Sequence, residues 1–171
     1  MIEAIQATVM GFVREHQGLA EPVVFFLGFA EGIPILSLFV PSSILFVAIG
    51  SLQAAAGADF VPLWLSASAG ALLGDIVTYV IGRTFKSEAQ SVWPLSRRPE
   101  LLVAGRKLLE RWGWLAVIGG KFLGFMRPFI PVAAGVLEMP VVPFLLASLI
   151  SSLVWAGVFL APGWGLTLIF R

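Results

Sequence analysis

Long apolar stretches alternate with short polar ones along this chain, and the alternation is repeated on either side of a charged middle. Residues 22–58 carry a single charge, Glu31, among Gly28, Gly32, Pro34, Pro41, Gly50 and Gly57, and residues 60–82 carry only Asp75. Beyond the middle, residues 113–137 hold Lys121 and Arg127 among Gly119, Gly120, Gly124, Pro128, Pro131 and Gly135, and residues 139–170 hold no charge. Each half therefore reads as a Gly/Pro-interrupted apolar segment followed by one cleaner span. Ser66, Gly70, Gly74, Thr78 and Gly82 recur every four residues. That spacing predicts a helix over 60–82, roughly 34 Å long, with a small-residue face that lets another helix backbone approach closely. Asp75 lies beside this stripe and is expected to face protein rather than lipid.

Interrupted hydrophobic segments in corresponding positions of two halves point to a transporter-type site between inverted repeats. Backbone broken at membrane depth must be satisfied by protein or trapped water. A re-entrant helical hairpin in each half meets both conditions, with its tip at Pro41 in the first half and at Pro128 to Pro131 in the second. Two kinked but ordinary spanning helices are the plainer alternative. In the middle, seven of the eleven Lys and Arg residues fall between Arg83 and Arg111, opposed by Glu88, Glu100 and Glu110, and Leu101 to Trp112 reads as a short amphipathic surface helix. The positive-inside rule places this linker in the cytoplasm, beside anionic lipid headgroups. The first 21 residues are too polar for a crossing and read as an interfacial helix, with His16 solvated. The expected architecture is an all-α polytopic membrane protein, one domain over 1–171. It comprises the interfacial helix 1–21, a first repeat 22–82, a basic cytoplasmic linker 83–112 and a second repeat 113–171. Each repeat is a re-entrant hairpin plus a transmembrane helix.

Composition narrows the function. Of 171 residues 58% are apolar and 12% charged, and the mean hydropathy is +0.96, which leaves too little polar surface to coat a soluble domain. With no cysteine and one histidine, thiol nucleophiles, thiolate metal sites, disulfides and Ser-His-Asp chemistry are poor options. Neither a metal nor a cofactor is expected. A net charge of +1 argues against nucleic acid as a partner.

Four ionisable residues lie inside the apolar stretches: Glu31, Asp75, Lys121 and Arg127. A charge at that depth costs a few kcal/mol and normally faces a cavity or a partner. Two ion pairs that merely lock the helices would satisfy this, but three of the four sit in the interrupted segments rather than in the clean spans. On one straight helix Lys121 and Arg127 would be about 240° apart; a break near Gly124 or Pro128 brings both to one place. Arginine presents a planar fork to phosphate and lysine a compact point charge, while carboxyl groups can gain and lose protons. A proton-coupled carrier of an anion fits this set.

These residues also resemble a known family. Phe29-Ala30-Glu31-Gly32-Ile33-Pro34 with Pro41 and Gly50, then Gly70-Ala71-Leu72-Leu73-Gly74-Asp75 with Tyr79 and Ile81-Gly82-Arg83, and finally Gly120-Lys121-Phe122, Arg127, Pro131, Ala134-Gly135, Met139, Phe144 and Trp155 resemble three ordered motifs of the DedA family. These are the bacterial members of the VTT, or SNARE-associated Golgi, domain group. The resemblance spans residues 22 to 165. It implies a multi-pass protein of the bacterial inner membrane, not an enzyme, that moves a lipid phosphate, undecaprenyl phosphate first and glycerophospholipid second, with sensitivity to the proton-motive force. It places the family's acid on Glu31 and its basic pair on Lys121 and Arg127. Lys121 and Arg127 would bind the phosphate, Glu31 and Asp75 would couple to protons, and Pro34, Pro41, Gly124, Pro128 and Pro131 would shape the site by breaking helices. Three departures stand out: Ser43 where many members carry a second acid, Lys121 for the usual arginine, and Gly124 for the usual proline. The implied partners are the lipid substrate and bilayer lipids, with self-association as a further option. The rivals are a membrane scaffold whose charges only hold helices together and an intramembrane hydrolase, which has Ser37, Ser42 and Ser43 but no nearby histidine.

Overall fold

A computed structural model describes residues 8, 11, 17–37, 42–86 and 99–169. All regular structure among the described residues is helical: α1 (Ala20–Gly32), the single turn α2 (Pro34–Ser37), α3 (Ser42–Ala55), α4 (Phe60–Phe85), α5 (Pro99–Trp112), α6 (Trp114–Gly120), α7 (Phe129–Val136) and α8 (Val141–Ile169). Among the described residues α4 and α8 are the two helices long and apolar enough to cross a membrane. The helix expected over 60–82 thus forms and runs one turn further, to Phe85.

The interrupted segments break at Ile33 in the first half and between Gly120 and Phe129 in the second. α1 stops at Gly32, Ile33 turns extended, and Pro34 opens α2, a position where its missing N–H is no loss. In the second half α6 gives way after Gly120 to a 3-10 turn, Gly124–Met126, and then to α7. Gly124 takes a φ of +54°, a conformation that costs glycine little and other residues much. Pro128 caps α7 and Pro131 lies in its first turn rather than at a break. Pro41, the expected tip of the first hairpin, lies outside the described residues, as do His16 and most of the expected interfacial helix.

The small-residue stripe is a packing face, as its spacing predicts. Ser66 Oγ donates to Glu21 O at 2.7 Å and Thr78 Oγ1 to Gly32 O at 2.8 Å. A Cβ on Gly70 or Gly74 would collide with the α1 backbone at Phe25 or Phe29, and one on Gly82 with Val132 of α7. α4 therefore carries α1 along one part of its length and α7 along another.

The arms of the two halves are exchanged. α1 packs on α4, the long helix of its own half, but α3 packs chiefly on α8; α6 packs on α8, but α7 packs on α4. α4 and α8 run antiparallel: Trp64 Nε1, near the start of α4, donates to Leu153 O, and Tyr79, near its end, donates to Met139 O and stacks on Phe144. Two apolar clusters result. One gathers Val24, Phe46, Ile49, Leu63, Ala67 and Trp155, and the other Tyr79, Val117, Phe129, Ile130, Phe144 and Ala147. On α4 the boundary between them falls between Ala71 and Tyr79, and on α8 between Ala147 and Trp155. α5 covers the second cluster with Leu109 and turns Arg106, Lys107 and Arg111 outward, the amphipathic helix expected over 101–112.

Candidate functional site

The boundary between the two apolar clusters is where the buried charge lies. Asp75 sits on α4 between the clusters. Glu31 is brought to the same level because Gly32, its neighbour, rests on Gly74: a Cβ on Gly32 would lie 2.6 Å from the Gly74 carbonyl carbon. The C-terminal carbonyl of α1, on Gly32, is satisfied by Thr78, which fixes the end of the helix that carries Glu31. From the second half, Lys121 follows directly on α6 and Arg127 follows the 3-10 turn. The break at Gly124 places both cations within electrostatic reach of one another and of Glu31. All four ionisable residues singled out in the sequence therefore meet, each acid from the first half facing a base from the second.

They meet as two pairs. Lys121 Nζ lies 2.5 Å from Asp75 Oδ2 and also donates to Ser152 Oγ at 2.6 Å, while Ser148 Oγ donates to the same Asp75 oxygen at 2.6 Å. Ser151 Oγ donates to Ser148 O. Arg127 Nη1 lies 2.5 Å from Glu31 Oε2. That contact is one of charge and not an aligned hydrogen bond, because Glu31 Oε2 has no hydrogen-bond partner among the described residues, and neither do Nε and Nη2 of Arg127. The guanidinium instead lays its face on Trp155, 4.0 Å from the ring centre, a cation–π contact that gains strength away from water.

Sequence reasoning found the four charges and missed Ser148 and Ser152. The one local signal is their spacing: Ser148, Ser151 and Ser152 sit at i, i+3 and i+4, on one face of a helix that carries no charge. All three are buried. Among the described residues no group of acids and histidines is disposed to hold a metal ion.

At the end of α4, Arg83 Nη1 donates to Tyr79 Oη and Lys86 pairs with Glu138, which joins that end to the α7–α8 turn. Glu138 holds a left-handed φ of +55° there, and the Lys86 ammonium beside it keeps its carboxyl below the ordinary range.

Relatives of this chain are named as membrane proteins. It is 33% identical over 159 residues to an uncharacterized membrane protein, BU139, of Buchnera aphidicola, a match that covers 93% of this chain and 62% of that protein. It is 26% identical over 159 residues to the inner membrane protein YabI of Escherichia coli, over 93% of this chain and 63% of YabI. To the inner membrane protein YghB of Escherichia coli it is 29% identical over 165 residues, over 91% of this chain and 75% of YghB. The chain thus spans about three-fifths of the length of the first two. No solved structure matches it. The family model of the VTT domain matches residues 40–165, a stretch that takes in α3 to α7 and most of α8 with Asp75, Lys121 and Arg127, and on that match the chain belongs to the VTT domain family.

Proposed function

We propose that this chain is a carrier, not an enzyme, that moves a lipid phosphate between the leaflets of the bacterial inner membrane, with undecaprenyl phosphate as the first candidate and glycerophospholipid as the second. The observation that carries the reading is Arg127: a buried guanidinium, neutralised by Glu31, whose Nε and Nη2 have no hydrogen-bond partner among the described residues. Two parallel N–H groups in one plane are what a phosphate engages in a bidentate fork. The phosphate takes the Arg127 edge first, and Lys121 adds the second positive charge. Glu31 and Asp75, relieved of their partners, take up protons, so that substrate and proton favour each other's binding. The antiparallel long helices and the exchanged arms support a description as two inverted repeats, each with a re-entrant hairpin. The basic stretch from Arg83 to Arg111 supports a cytoplasmic linker.

The test is reconstitution in liposomes with a leaflet-specific assay of undecaprenyl phosphate and, separately, of phosphatidylglycerol. Protein-dependent movement that is lost in a folded Arg127→Ala protein is the expected result. A second reading, a scaffold that moves nothing, is favoured by the closed network of Asp75, Lys121, Ser148 and Ser152. Absence of movement for both lipids with folded wild-type protein would select it.

A further inference from the structure

A guanidinium can be held in two independent ways, by hydrogen bonds in its plane and by a ring against its face. In this protein the ring contact is in use and the other hold is the charge of Glu31 alone, and the two have different fates when a phosphate arrives. Glu31 meets Nη1 by charge, without an aligned hydrogen bond, and as an anion it competes with any incoming phosphate. Trp155 occupies the face at 4.0 Å and competes with nothing. Trp155 is itself fixed: it is fully buried, with Phe46 edge-on at 4.9 Å and Phe159 at 5.2 Å.

We infer that Trp155 is a positioning residue of the phosphate site, holding the Arg127 guanidinium by its face so that Nε and Nη2 stay presented to the phosphate when Glu31 is displaced. The inference rests on the carrier reading above. Without the ring, Arg127 would be oriented only by the partner it must release, and every binding event would have to reorder a long, flexible side chain. With the ring, orientation is retained through the exchange, which is preorganisation in the ordinary sense. Truncating Trp155 could disturb the core, so the informative change is electronic rather than steric: fluorination withdraws charge from the ring face and leaves the shape of the side chain almost unchanged.

The experiment introduces mono-, di- and trifluorinated tryptophan at position 155 of the full chain. The protein is reconstituted in phosphatidylcholine vesicles and titrated with undecaprenyl phosphate in one arm and dioleoyl phosphatidic acid in the other. The half-saturating lipid concentration should rise step by step with each fluorine, to about tenfold, in whichever arm holds the substrate. The maximal rate and the thermal midpoint should stay near wild type. A half-saturation that ignores fluorine, in a protein that still binds the lipid saturably, overturns the positioning role and leaves the carrier reading standing. If the unmodified protein responds saturably to neither lipid, the phosphate reading itself fails and the role of Trp155 fails with it.

Discussion

Asp75–Lys121 and Glu31–Arg127 cross the same boundary between the halves, with the same charges and nearly the same burial: the side chains are 4% and 2% exposed in the first pair and 10% and 6% in the second. They differ in how they are finished. Lys121 and the Asp75 oxygen it meets are both tied further, to Ser152 and Ser148. In the other pair three buried polar atoms have no hydrogen-bond partner among the described residues. A buried pair recovers the cost of leaving water only if its remaining donors and acceptors are also satisfied. The first pair has the form of a lock that opens second, and the second that of a contact poised to be exchanged first. Burial and charge alone do not separate the two pairs; the remaining hydrogen-bond capacity does.

The largest effect should come from breaking the lock. Asp75→Asn leaves Lys121 buried without its counter-charge, a change that typically costs about 3–5 kcal/mol, and it should lower the thermal midpoint of the purified protein sharply. The double variant Asp75→Asn, Lys121→Met should recover most of the loss. Arg127→Ala should cost less stability, because its pair has fewer hydrogen bonds to lose, and should lower lipid movement by about ten- to a hundredfold, the equivalent of roughly 1.5–3 kcal/mol of charge-assisted contact. Equal melting losses in Asp75→Asn and Arg127→Ala would erase the distinction between the pairs.

A finer cut removes one hydroxyl. Ser148→Ala deprives Asp75 of one donor and should cost about 1–2 kcal/mol of stability while leaving movement nearly intact; if movement falls and the midpoint does not, the serines belong to the carrier and not to the lock. Glu31→Gln keeps shape without ionising. It should change the rate only a few-fold but flatten its dependence on pH or on an imposed proton gradient, whereas an unchanged pH profile would detach Glu31 from proton coupling.

The smallest effect belongs to the exposed pair Lys86–Glu138, a control on the other two. Lys86 holds the Glu138 carboxyl below its ordinary value of 4.5. Its contribution is therefore present above that value and is lost as pH falls through the lower folded-state value. Melting curves of wild type and Glu138→Gln should differ slightly at neutral pH and converge in acid.

Much of this was legible in the sequence because membrane burial makes polar residues conspicuous. Glu31, Lys121 and Arg127 stood out as charges among helix breakers, the Ser66-to-Gly82 stripe announced a close helix contact, and residues 101–112 showed their amphipathic period. What could not be read was partnership. Whether Asp75 meets Lys121 or Arg127 depends on how Gly124 turns the chain and on how α1 sits on α4, and neither is a local property. The serines escaped for a related reason: a hydroxyl inside an apolar helix can bond its own backbone, as Ser68 does to Trp64 O, so its presence does not reveal whether it also serves a charge. Trp155 belongs to a recognised motif, yet its contact with Arg127 joins residues that only the fold brings together.

The exchange of arms has a consequence for synthesis. Both acids precede the linker and both bases follow it, and α3 finds its principal partner in α8. While the ribosome is still making the linker, the first half is in place with two carboxyl groups that have no counter-charge and with one helix lacking the surface it packs on. It is therefore not a unit that can be finished and then joined to a second one. Completion must be cooperative, arriving only with the second half, whose helices and cations the first half lacks.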